Sequence, residues 1–249
     1  MTLGELLVIW LAVLGLYFVV MSRTADQLPA AQQRRHVAFF VTGLLIVLVG
    51  FIPSPDLLGP DHRFAVNMGQ FVLAVDVGPL FLFLGIPATW LQPLLRWDRR
   101  GRRLTHPLVC ALVSSALLVG WHMPSLFEAA SGDLPTWLLK QALFVVAGLL
   151  LWWPVAGPLA VWRPSYPLQL VYMFLVRVPT VLVGIMFTFA DQLIYSSRSF
   201  ALEICAPSSL TDQVVGGLVM WTVGELVMLA VFTLVFFRWR SEVEAADSH

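Results

Sequence analysis

Charge is scarce in this chain. Asp, Glu, Lys and Arg make up 12% of its 249 residues, 59% are hydrophobic, and the mean hydropathy is +0.82. A soluble domain carries about twice that charged fraction, so the composition excludes one and indicates an integral membrane protein. The net charge is zero, which leaves no basic field for nucleic acid. Cysteine is nearly absent: Cys110 and Cys205 form neither a CxxC pair nor a disulfide framework. The sequence lacks HExxH, GxSxG, a P-loop and a dinucleotide-binding glycine pattern, and no nucleophile stands with a base and an orienting partner. An enzyme is therefore not expected. Low-complexity segments, domain-separating linkers and internal repeats are missing too. The first apolar run opens at Leu3 with Glu5 and no basic start, and it closes on Tyr17 to Met21 rather than small residues. It reads as a membrane helix rather than a cleaved signal.

What is present is a set of long apolar runs. Seven of them approach the roughly 20 residues that a helix needs to cross about 30 Å of hydrocarbon. They lie near residues 3–21, 37–53, 64–90, 107–121, 137–161, 168–190 and 214–237. The expected fold is an all-α polytopic membrane protein with seven transmembrane helices over residues 1–240. An acidic tail, 241–249, is expected to fray. Basic loops stay cytoplasmic. Arg23, Arg34, Arg35, Arg96, Arg99, Arg100, Arg102, Arg103, Arg163, Arg238 and Arg240 fall on one side, against Arg63 and Arg198 on the other. This places the N-terminus outside and the C-terminus, with its tail, in the cytoplasm.

The stretch from Phe64 to Trp90 is apolar enough to span, yet it carries Asn67, Gln70 and Asp76 and is interrupted by Pro79 and Pro87. Polar groups that persist in hydrocarbon face a bundle interior or a cavity. On the predicted topology, Asn67, Gln70, Lys140, Gln141, Asp191, Asp212 and Gln213 gather in the outer third. Asp76, Arg177 and Glu225 lie deeper, about 14–18 Å from a helix end at 1.5 Å per residue. Opposite charges at matched depth tend to pair, so Arg177 is expected to bridge Asp76, Glu225 or both, as a packing ion pair or as a relay. Thioether and imidazole donors suit copper(I). Met68, His122, Met123, Met186 and Met220 share the outer third and form a candidate transient copper site. The structural alternative is that methionine fills gaps in an apolar bundle and that His122 bonds at a helix end. His62 lies in an outer loop, while His36 and His106 read as interfacial.

Pro79 removes an N–H, so the carbonyl of Val75 loses its helical partner and must find another. Gly148, Gly216 and Gly217 permit close helix approach, and Trp152-Trp153-Pro154 reads as an interfacial anchor.

Several pieces carry a family resemblance: NMGQF at 67–71, GPLFLFLGIP at 78–87, HPL at 106–108, WHMPSLFEAA at 121–130, AGLLLWWP at 147–154 and DQVVGGLVMW at 212–221. Over about residues 37–237 the chain resembles the CtaG-type cytochrome c oxidase assembly factors of bacteria. The resemblance implies a multi-pass protein of the bacterial membrane that works with cytochrome c oxidase subunits, helping copper reach an oxidase centre at the outer face. This chain departs from the family where a His–Met–x–x–His pattern is usual, having Asn67, Met68 and Phe71. It departs again where an acidic residue followed by His is usual, having Gln141 and Ala142. A histidine-based site therefore does not carry over. Either Met and His122 serve, or a scaffolding role remains. The reading from another class is a small-solute or metal-ion transporter, which needs a polar path to both sides. A haem pair would need two opposed imidazoles in the membrane, and no histidine is placed for it.

Overall fold

A computed structural model describes residues 3–52, 63–132, 134–195 and 207–247. Asp56, Asp61, His62, Asp133, Arg198, Glu203 and Cys205 lie outside the described residues. The described chain is helical, with no strand among the described residues. Helix α1 covers Leu3–Arg23 and α2 covers Ala30–Gly50. Helix α3 is the Phe64–Gly85 span. It is α-helical over Arg63–Val72, turns π-helical over Leu73–Val77 and resumes as α over Gly78–Gly85. Helix α4 (Ala88–Leu104) meets α5 (Pro107–Trp121) at a 64° bend. The short α6 (Pro124–Gly132) leads to α7 (Leu134–Ala156) and α8 (Tyr166–Thr188). Helix α9 runs from Pro207 to Asp247 as Pro207–Leu218, a π turn at Val219–Val223, and Gly224–Asp247.

Among the described residues five helices are long and apolar enough to cross a membrane, and a sixth span results if the bent α4–α5 pair counts as one. The first apolar segment, Leu7–Arg23, is shorter. These spans fit a multi-pass membrane protein.

Several boundaries differ from the sequence reading: α2 begins at Ala30 rather than 37 and α9 at Pro207 rather than 214, and three other differences each have a local reason. The third run stops at Gly85 rather than 90, because Ile86 precedes Pro87 and is held extended at φ −94° and ψ 115°. Helix α7 begins at Leu134 and ends at Ala156, since a proline at its second position fits a first turn and Gly157-Pro158 follows its end. The final helix continues to Asp247 instead of fraying at Ser241, and Arg240 pairs with Glu244 one turn on at 2.7 Å.

Close packing sets the core. A side chain on Gly43 would lie 2.7 Å from the Leu82 nitrogen, and one on Gly85 would lie 2.5 Å from the Phe40 nitrogen. Glycine there lets α2 and α3 approach backbone to backbone. Gly148, Gly216 and Gly217 also sit against neighbours: the Val75 carbonyl, the Phe64 ring and Thr188 respectively. At the opposite end from Asn67, the Arg-rich turn of α4 docks on the segment after α7. The Trp162 indole donates to Asp98 at 2.7 Å and Arg102 donates to the Val161 carbonyl at 2.8 Å. His36 bonds the Leu84 carbonyl, and His106 caps α5 by accepting from Leu108.

Candidate functional site

Two groups of polar residues stand inside the bundle. The first lies where α3 begins, α5 ends, α7 begins and α8 ends. Its centre is His122, the residue that ends α5. Its Nδ1 is 2.6 Å from the Leu118 carbonyl, and its Nε2 is buried with no hydrogen-bond partner. Phe71 meets the ring edge-on at 5.1 Å and Phe144 stacks on it at 5.8 Å. Phe64, Phe127, Phe187 and Tyr195 extend this aromatic wall, with Phe127 and Tyr195 stacked at 3.9 Å. The Tyr195 hydroxyl donates to the His122 carbonyl at 2.9 Å, which ties the 189–195 segment to the end of α5.

Lys140 is the only lysine in the chain. The sequence placed it near a helix start and away from the deep bundle. It is in fact fully buried. Its ammonium donates to Asn67 Oδ1 at 3.2 Å and lies 5.2 and 5.9 Å from the ring centres of Phe127 and Phe144. Aromatic faces attract a cation, and more strongly when water is excluded. His122 and Lys140 thus share the Phe144 ring.

The candidate metal donors divide. Met68, Met220 and His122 are buried, and both methionines belong to the same core cluster as Phe64, Phe71, Phe144 and Phe187. Met123 and Met186 are 57% and 46% exposed, so they face away from it. Among the described residues no group of three His, Cys, Asp or Glu side chains is placed to hold a metal. His122 thus offers one imidazole nitrogen without a hydrogen-bond partner, and Met68 and Met220 lie elsewhere in the same large hydrophobic cluster.

The remaining polar residues at this end act on backbone. Asp212 accepts from the Phe64 and Ala65 N–H groups at 2.8 and 3.0 Å, capping α3 from α9. Gln70 donates to the Val49 carbonyl at 3.1 Å and also to Ile52, while Gln141 donates to Gly50. Both therefore satisfy the free carbonyls at the end of α2. Gln213 accepts from Ile194 N–H at 2.9 Å and donates to the Gln192 carbonyl at 3.3 Å. Asp191 is exposed.

The second group is ionic and lies mid-helix. Arg177 donates to Asp76 Oδ1 at 2.7 Å and to Glu225 Oε1 at 2.6 Å. Arg177 and Asp76 are buried, whereas the Glu225 side chain is 37% exposed. Each carboxylate stands at a π turn: Asp76 within Leu73–Val77, and Glu225 two residues past Val219–Val223. A π turn adds a residue and re-aims the side chains after it, and such turns are frequent at functional sites. The extra residue also frees a carbonyl, and the Trp152 indole donates to the Asp76 carbonyl at 2.8 Å. Trp152 is therefore a core residue and not the interfacial anchor that its sequence suggests. Its neighbour Trp153 packs on Phe83 at 5.4 Å. The Val75 carbonyl lies against Gly148. A side chain at Gly224 would collide with Arg177 Nη2 and come within 2.9 Å of Asp76 Oδ2, so glycine leaves room for the pair.

The aromatic wall and both π turns escaped the sequence reading. Gly78-Pro79 and Gly224 flank the π turns and are their one local signal.

Comparison with known families decides the wider class. The family described as cytochrome c oxidase caa3 assembly factor (Caa3_CtaG) matches residues 15–242. The chain belongs to this family. The match spans nearly all the described helices, including both polar groups. No curated protein and no solved structure matches the chain. Family membership ties the protein to oxidase assembly, and so to an oxidase-related partner, rather than to a described catalytic activity.

Proposed function

We propose that this protein is a non-catalytic assembly factor of the bacterial cell membrane that helps load copper into a haem–copper cytochrome c oxidase. On this reading it spans the bilayer seven times with its N-terminus outside, and the His122 end opens toward the outer face. Oxidase subunits are its partners, and copper(I) is a cargo in transit rather than a resident cofactor. The observation that carries the reading is the His122 Nε2 atom, buried and unpartnered in a core that also holds Met68 and Met220. Buried polar atoms seldom go without a partner, and copper(I) is a ligand this donor set suits. The Lys140 ammonium, which shares Phe144 with His122, opposes a second cation nearby. That opposition favours release over storage.

The reading as a small-solute or metal-ion transporter has less support. Gln70, Gln141 and Asp212 are engaged with helix ends and Gln213 with the backbone of the 192–194 segment, and so do not line a path through the bundle.

Deleting the protein and measuring oxidase subunit abundance and oxidase copper separately tests the proposal. Normal subunits with depleted copper support delivery. Missing subunits indicate scaffolding, in which Phe71 and Phe144 simply pack on an inert His122. An unchanged oxidase defeats both readings.

A further inference from the structure

A groove of about 400 Å³ opens on the side of the bundle between α8 and α9. Phe174, Val178 and Leu182 line one wall, and Leu229 and Phe232 line the other. Arg177 and Glu225 also line it. Arg177 is the central residue of the 23-residue α8, and its partner Glu225 lies level with it. If α8 spans the bilayer, both charges sit about 16 Å from either helix end at 1.5 Å per residue.

Asp76 and Glu225 are two carboxyl groups on one guanidinium, and among the described residues no other charged group acts on Arg177. Asp76, the buried carboxylate, holds one arm of Arg177. Of the two carboxylates, Glu225 is the one that meets the groove: it gives one oxygen to Arg177, and its side chain is 37% exposed. A carboxylate facing hydrocarbon is strongly disfavoured unless another group meets it.

We infer that this groove is a docking site for a transmembrane helix of a partner protein that presents a basic side chain at the depth of Glu225. Charge complementarity selects that occupant. Lipid tails bring no donor, and lipid amines stay at the headgroups. A second copy of this chain brings no spare cation either. Its one lysine is buried with Asn67, its Arg177 is already paired, and its other described arginines lie outside the middle of the spans. Pairing two such grooves would set Glu225 against Glu225. The inference does not depend on any metal at His122.

The test uses the full-length protein in phosphatidylcholine vesicles with two synthetic 23-residue polyleucine peptides, one carrying a central Arg and one a central Leu. Binding is read as energy transfer from the protein's tryptophans to a dansyl group on the peptide. The Arg peptide should bind about tenfold more tightly than the Leu peptide, the scale of one charged contact in a membrane. Glu225→Gln should abolish that preference. It keeps the Arg177–Asp76 pair, and its melting temperature verifies folding. Val178→Trp, which fills the groove without touching the charges, should weaken the Arg peptide by a similar factor. Equal binding of the two peptides to the unaltered protein would overturn the inference. A preference that survives Glu225→Gln would also overturn it. So would self-association of the protein that excludes the peptide, since the occupant would then be a second copy. Should Glu225→Gln fail to fold, the Arg-to-Leu ratio and Val178→Trp decide between these outcomes.

Discussion

At the His122 end of the bundle Gln70, Gln141, Asp212 and Gln213 each end on a backbone group. At mid-helix Asp76, Arg177 and Glu225 end on one another. The first arrangement closes helix termini, where free N–H and carbonyl groups are unavoidable. Each bond there is local, and losing one leaves the others intact. The second arrangement places charge where helices have no free ends to serve. It holds only as a unit, because removing one member leaves another charge buried and unpaired. Polar residues in a membrane bundle thus divide by role. The two exceptions at the His122 end are the buried imidazole with a free nitrogen and the lone lysine among aromatic rings, and they mark the part of that layer not explained by helix ends.

The sharpest way to break this comparison is Arg177→Met. It strands Asp76 and should destabilise the fold by about 3–5 kcal/mol, read as thermal unfolding in detergent. Adding Asp76→Asn should restore most of the loss, which a purely steric role for Arg177 would not allow. Gly224→Ala comes next. Its Cβ would collide with Arg177 Nη2, and such overpacking costs about 1–3 kcal/mol by the same assay. Asp212→Ala removes one cap and should cost about 0.5–2 kcal/mol. Faster amide exchange at Phe64 and Ala65 should accompany it, while the ion triad stays intact. The smallest effect is expected at the Arg-rich turn of α4. Arg102 and then Trp162 hydrogen-bond the Asp98 carboxylate and hold it below its ordinary value of 3.8. A lowered folded value stabilises above the unfolded one and is lost as pH falls through the folded one. The stability difference between Asp98→Asn and the unaltered protein should therefore be constant above about pH 5 and vanish in strong acid.

Much of the architecture was legible because the length of an apolar run is a direct physical requirement of a bilayer. Helix ends were less so. The stop at Gly85 follows from Ile86 preceding Pro87, a rule that can be read locally, yet the run of apolar residues beyond it masks the signal. The role of Trp152 was not legible at all. A Trp-Trp-Pro run is an ordinary interfacial pattern, and only the π turn holding Asp76, 76 residues away in sequence, makes that indole a core donor. Asp212 capping Phe64 across 148 residues is likewise a property of packing. At the candidate site, the residue types at 68, 122 and 220 were evident, but burial divides them from Met123 and Met186. That division depends on which face each helix turns inward, and the apolar helices here carry no polar stripe to reveal it.

The most direct test of the central claim is the copper-to-haem ratio of oxidase purified from cells whose only copy of this protein carries His122→Leu at normal abundance. The account predicts oxidase subunits at their usual level with clearly reduced copper. Full copper occupancy in that strain would contradict it.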